Sequence, residues 1–223
     1  MSPNVEFLEE LDRLVAEGLV ELANVKANAP ATPVEDPKHE IVQRLKFALK
    51  NELEASELAA LWMSSTPEVD VKLGLARQSG DEAKHYRLIE EHLRDLDADL
   101  SGFEPLGSGY SPMFQLLRAY ESTVERVAAA QFTRESLALV KNEQFIGFCD
   151  SVGATSTARF YRDEIQPDEQ WHVQLGRQTL EKYALTQELQ EKALAASMAV
   201  LDLAKRIQTK QVIEMGIGHA PGC

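Results

Sequence analysis

The sequence predicts an all-α protein in which four long helices pack as a bundle, with one helix added before them and one after. Three observations carry this. Apolar residues recur at steps of three and four through each long stretch. The 12 glycines and 9 prolines gather in a few places instead of scattering. No run alternates apolar and polar residues over the length of a strand. At 223 residues the chain suits one sizeable core. It divides into a helix and proline-rich linker (1–36), the four-helix unit (37–185), and a last helix with its tail (186–223).

Leu8, Leu11, Val15, Leu19 and Leu22 set the first helix, over 5–25. Asn28 to Pro37, with Pro30 and Pro33 between, reads as a linker. The second helix runs from Pro37, a favourable first helical residue, to Ser64. Its stripe of Leu45, Ala48, Glu52, Ala55, Ala59 and Met63 puts Glu52 among apolar neighbours, while Glu54 and Glu57 are expected in solvent. Thr66 should cap the third helix and Pro67 open it; that helix extends to Asp97 with Leu75, Glu82, His85, Ile89 and Leu93 on one face. Ser101 to Ser111, with Gly102, Pro105, Gly107 and Gly109, reads as a long crossover. The fourth helix is expected to run unbroken from Pro112 to Val152, with Ala128, Phe132, Glu135, Leu139, Asn142 and Ile146 inward and Gly153 as its C-cap. The fifth starts near Thr155 and aligns Tyr161, Ile165, Glu169, His172, Gly176 and Leu180; Pro167 should kink or divide it. The last covers 186–214, with Leu189, Ala193, Ala196, Val200, Leu203 and Ile207, before a loose tail from Gly216 to Cys223.

A net charge of −13 argues against binding nucleic acid or anionic membrane, since both need basic surface. No apolar run approaches the ~18 residues of a membrane span. The start of the chain has neither a basic nor an apolar signal region. Cys149, inside a helix, and Cys223, at the end, do not form a disulfide framework, so a reducing cytoplasm is the simplest location.

The chemistry resides in a duplicated motif: Asp81-Glu82-Ala83-Lys84-His85 and Asp168-Glu169-Gln170-Trp171-His172. Glu52 precedes Glu82 by 30 residues (82 − 52), and Glu135 precedes Glu169 by 34 (169 − 135), distances suited to a neighbouring helix. Glu and His three apart share a helix face. A lone Glu-x-x-His is common and usually faces solvent. Here the carboxylates fall within apolar stripes, where an unpaired charge is costly and metal cations would remove that cost. Glu52, Glu82, His85, Glu135, Glu169 and His172 together suit two first-row metal ions, iron first, with manganese accepting the same donors.

In these residues the chain resembles the ferritin-like carboxylate-bridged di-iron superfamily, over residues 40–183. The spacings, and an aspartate before each Glu-x-x-His, look most like multicomponent monooxygenase hydroxylases and ribonucleotide reductase small subunits. Rubrerythrins are similar around Gly153 and Phe160-Tyr161. The resemblance implies that the six residues are metal ligands, and that Asp81 and Asp168 accept hydrogen bonds from ligand imidazoles across the site. It implies a di-iron oxidoreductase that activates dioxygen to oxidise a small organic substrate. Electrons must then come from an external donor, because no flavin, nicotinamide or iron–sulfur motif is present. The alternative is a rubrerythrin-like ferroxidase or peroxidase, or a manganese-catalase-like protein, with no organic substrate; a third reading is a metal-free structural bundle. A stand-alone enzyme or a small oligomer such as a homodimer fits better than a cage. The chain departs from the families it resembles at Leu139, where such hydroxylases carry threonine, and at Ile89, where reductase subunits carry a radical tyrosine. Neither Tyr86 nor Tyr161 matches that position, and no Cys-x-x-Cys pair exists. His92 and Glu143 are expected at the surface, Cys149 as a buried hydrophobe, and Trp171, Phe132 and Leu139 in the core or walling a pocket.

Overall fold

The computed structural model describes residues 3–27 and 35–215. Most of the linker, including Pro30 and Pro33, and the tail with Cys223 lie outside the described residues. Every regular element among them is helical: α1 (Pro3–Ala27), α2 (Pro37–Met63), α3 (Val69–Asp95), α4 (Pro112–Leu117), α5 (Thr123–Val127), the π-helical segment π1 (Ala128–Arg134), α6 (Glu135–Ser151), α7 (Thr155–Phe160), a second π-helical segment π2 (Tyr161–Ile165), α8 (Gln166–Tyr183) and α9 (Gln187–Met215).

The apolar side chains form two cores, not one. One joins Leu58 and Trp62 of α2, Val71 and Leu75 of α3, Val127 to Ala130, Leu180, and the inward faces of α1 and α9. The other joins Leu45 and Leu49, Ile89 and Leu93, Phe145 and Ile146, and Tyr161 and Ile165. Helices α2 and α3, and the stretches π1–α6 and π2–α8, therefore pass from one core to the other, while α1 and α9 pack on the first alone. Helix α3 ends in the second core and α5 starts in the first, so residues 96–122 must travel the length of the molecule. Between the two cores the helices carry glutamate and histidine.

That crossover explains Glu54, which is 3% exposed and not in solvent as the pattern predicts. The carboxylate accepts from Ser111 N at 2.7 Å and from Ser111 Oγ. Lys46 donates to Asp99 O, Lys50 donates to Gly109 O, and Tyr110 Oη donates to Glu57. The polar outer face of α2 is thus a docking strip for the crossover. Its charges look like a solvated face because the sequence pattern does not show which loop will lie on it.

Two helix boundaries also differ from expectation. Thr66 does not cap α3; its hydroxyl donates to Trp62 O at 2.9 Å and closes α2, while α3 starts at Val69. The fourth helix is interrupted after Leu117 and restarts at Thr123. Ser122 caps the restart by accepting from Glu125 N at 3.3 Å, and Arg126 Nε satisfies Tyr120 O at 2.9 Å. Gly153 caps as expected, with φ +75° and Ala154 N bonded to Cys149 O at 2.8 Å.

Pro167 opens the last piece of a helical stretch divided into α7, π2 and α8, as expected. It sits in the first turn of α8, directly after the wide turn of π2. Proline lacks an N–H and its ring crowds the carbonyl four residues back, and a π-helical turn relieves both. At π1 the backbone comes against α8. A Cβ added to Gly176 would lie 2.8 Å from Gln131 C and Phe132 N, so only glycine allows this approach. We expect Gly176→Ala to cost about 1–3 kcal/mol through overpacking. Glu54→Ala should cost about 1–3 kcal/mol by stranding the Ser111 donors. Both would appear as lower denaturant midpoints with unchanged slope.

Candidate metal centre

The six predicted ligands meet in the layer between the two cores. Glu52 comes from α2, Glu82 and His85 from α3, Glu135 from the junction of π1 and α6, and Glu169 and His172 from α8. All six are fully buried. Their ligand atoms fall into two groups, each with every atom within 4.8 Å of the others: Glu52, Glu82, His85 and Glu169, and then Glu82, Glu135, Glu169 and His172. Glu82 and Glu169 belong to both. His85 Nδ1 lies 3.2 Å from Glu82 and 3.5 Å from Glu52, and His172 Nδ1 lies 3.3 Å from Glu169 and 3.5 Å from Glu82.

Each imidazole turns its other nitrogen outward to the aspartate of the opposite motif. His85 Nε2 is 3.2 Å from Asp168 Oδ2, and His172 Nε2 is 3.4 Å from Asp81 Oδ2. A carboxylate there holds the proton on Nε2, so Nδ1, which faces the cluster, is the nitrogen whose proton a metal ion would displace. Lys84 pairs with Asp168, and Arg77 reaches both aspartates, at 3.3 and 3.9 Å. The Arg77 guanidinium also lies 3.6 Å over the Trp171 ring. Trp171 therefore helps cover the outer edge of the site instead of walling a pocket.

Burial pushes Glu52 up to about 7, offset in part by the His85 imidazole 3.5 Å away. Burial and the carboxylates of Glu82 and Glu135 raise Glu169. Burial also opposes ionisation of Glu82, but the imidazoles of His172 and His85 outweigh it and bring the group to about 2. Burial disfavours both imidazolium ions as well. The surrounding carboxylates prevail, Glu52 and Glu82 holding His85 at about 12, and Glu82, Asp81 and Glu169 holding His172 at about 11. In the metal-free chain, protons on Glu52, Glu169 and the two imidazoles offset the charge of the cluster. Two divalent cations would do so more completely, using four carboxylates and two Nδ1 atoms, so the residues fit a pair of metal ions.

Two further residues at the cluster lie outside the duplicated motif. Gln78 Nε2 donates to Glu135 Oε1 at 2.8 Å and lies 3.3 Å from Glu82 Oε1, while Gln131 Nε2 donates to Gln78 Oε1 at 2.8 Å. Both are buried, and each stands four residues before a predicted ligand, a spacing that could have flagged them. Among the other residues singled out, Ile89 is buried in the second core and Glu143 is exposed. Half-buried His92 bonds to Thr157 at 2.9 Å and stacks on Phe160. Cys149 is buried, and burial pushes its thiol up to about 12. Leu139 is half-buried and its carbonyl accepts from Gln166. Phe132 lines a cavity of about 260 Å3 beneath α1, with Val15, Leu19, Ser136 and Val173 around it and the Arg177–Asp12 pair beside it. No described helix is long and apolar enough to cross a membrane. Comparison of the chain with protein-family models, curated proteins and solved structures returns no match.

Glu135→Ala and His172→Ala should each lower bound metal, measured by elemental analysis, whereas Glu54→Ala should keep it. The pH dependence has a definite sign. The imidazolium contribution to stability is complete below 6.5 and is lost as pH rises towards 11–12. The protonated Glu52 contribution is present below 4.5 and lost as pH rises through about 7. Glu82 acts oppositely, its contribution being lost only as pH falls from 4.5 to about 2. The metal-free form should therefore lose stability between pH 4.5 and 7. Because metals must displace these protons, affinity should rise with pH and loading should release protons, seen by calorimetry in buffers of different ionisation enthalpy.

Proposed function

We propose that this chain is a ferritin-like di-iron oxidoreductase that uses dioxygen to oxidise a small organic molecule, with electrons from an external donor. The observation that carries the reading is the sharing of Glu82 and Glu169 between two ligand groups of the same composition, each completed by one further glutamate and one histidine. Shared carboxylates suit two adjacent metal ions better than one. Bound there, two ferrous ions supply two electrons to dioxygen.

The chain's own residues bind, orient and exclude. Glu82 and Glu169, common to both groups, would hold both ions, and Glu52 and Glu135 would each hold one. Asp168 and Asp81 fix the imidazoles so that each presents Nδ1. Ile89, Phe145 and Ile165 on one side, and Val127, Phe132 and Leu180 on the other, keep bulk water from the layer.

The test is metal content followed by dioxygen consumption. We expect close to two irons per chain, and dioxygen uptake by the ferrous-loaded protein that quickens with a suitable small organic molecule. Uptake indifferent to every organic candidate would favour the ferroxidase or peroxidase reading. A chain that binds no metal would overturn both.

A further inference from the structure

The two ligand groups share a composition but not their surroundings. Gln78 lies four residues before Glu82, and Gln131 four before Glu135. The corresponding positions in the other half are Ile165, four before Glu169, and Ala48, four before Glu52. Ile165 and Ala48 are fully buried and have no side-chain donor. Glu135 is therefore held through Oε1 by an amide, whereas Glu52 has no amide donor and its nearest partner nitrogen is His85 Nδ1 at 3.5 Å.

The orientation of the Gln78 amide is settled by its neighbours. The NH2 group must face the carboxylates, which can only accept when ionised, and the carbonyl then faces the Gln131 NH2 at 2.8 Å. Gln131 is held in turn by π1, whose backbone rests on Gly176. A chain of packing thus runs from α8 through Gln131 and Gln78 to Glu135, with a longer contact of 3.3 Å from Gln78 to the shared Glu82, and no side-chain amide among the described residues reaches Glu52.

We propose that the two metal positions are inequivalent, and that Gln78, oriented by Gln131, is the positioning residue that makes them so. The inference rests on the metal-centre reading above. The position completed by Glu135 and His172 is preorganised and fills first. The position completed by Glu52 and His85 has a terminal carboxylate free to change how it engages a metal, and it fills second.

The test is a Co(II) titration of the metal-free full chain, followed by absorption and calorimetry. We expect two steps of different affinity, with His172→Ala removing the tighter and His85→Ala the weaker. Gln78→Leu should weaken the tighter step about 10- to 100-fold, the range typical for loss of a group that orients a ligand, and leave the weaker step in place. A purely structural role would weaken both steps together, and that result would overturn the proposal. So would two equal steps in the unaltered chain, or unchanged steps in Gln78→Leu. If Gln78→Leu does not fold, Gln131→Leu decides: it leaves the amide present but unoriented, and an unaltered tighter step sinks the idea. A chain that takes up no Co(II) removes the metal-centre reading and this inference together. One that takes up two equally removes the inference alone.

Discussion

The structure depends on keeping four carboxylates in a layer that excludes water. A single buried carboxylate without a partner is expensive, and four within a few ångströms repel one another as well. The chain meets this by placing two imidazoles among them, by turning each imidazole's second nitrogen to an aspartate, and by walling the layer with an apolar core on either side. The fold follows from this demand. Four helical stretches must present charged groups at one level, and each must be apolar above and below it. A helix does so by carrying Glu or His at a single point in an otherwise apolar stripe, as α2 does with Leu45, Ala48, Leu49, Glu52, Ala55 and Ala59.

The helices and the cluster were legible in the sequence because both obey the same period. Glu52, Glu82, Glu135 and Glu169 stand out only because their neighbours at three and four residues are apolar, and that rule also locates the helices. The crossed aspartates were readable from their identical place in both motifs. The break before Ser122, the widened turns of π1 and π2, and the burial of Glu54 were not. Each depends on what a distant segment does: the crossover lies on α2, and Gly176 brings α8 against Gln131. Gln78 escaped because a glutamine on an inward face resembles any other polar residue until a carboxylate is seen beside its amide.

Both π-helical segments stand just before a cluster residue, with Glu135 directly after π1 and Glu169 four residues beyond π2. Each adds a local shift in the phase of its helix. The side chains that follow are rotated relative to the stripe that precedes them, which brings Glu135 and Glu169 to the layer while the upstream residues continue to face their core. Helices α2 and α3 reach the same layer without such a device, so the two halves arrive at one arrangement by different backbone routes.

The crossed aspartates have a further meaning. Asp81 serves the histidine of the second motif and Asp168 that of the first, so neither motif is complete within its own half of the chain. This is the reciprocal relation of a twofold-symmetric dimer, in which each subunit gives the other what it receives. Here both partners lie on one polypeptide, joined by the crossover. A chain so joined can hold different residues at matching positions, which two identical subunits cannot, and Gln78 and Gln131 opposite Ile165 and Ala48 are where this chain does so.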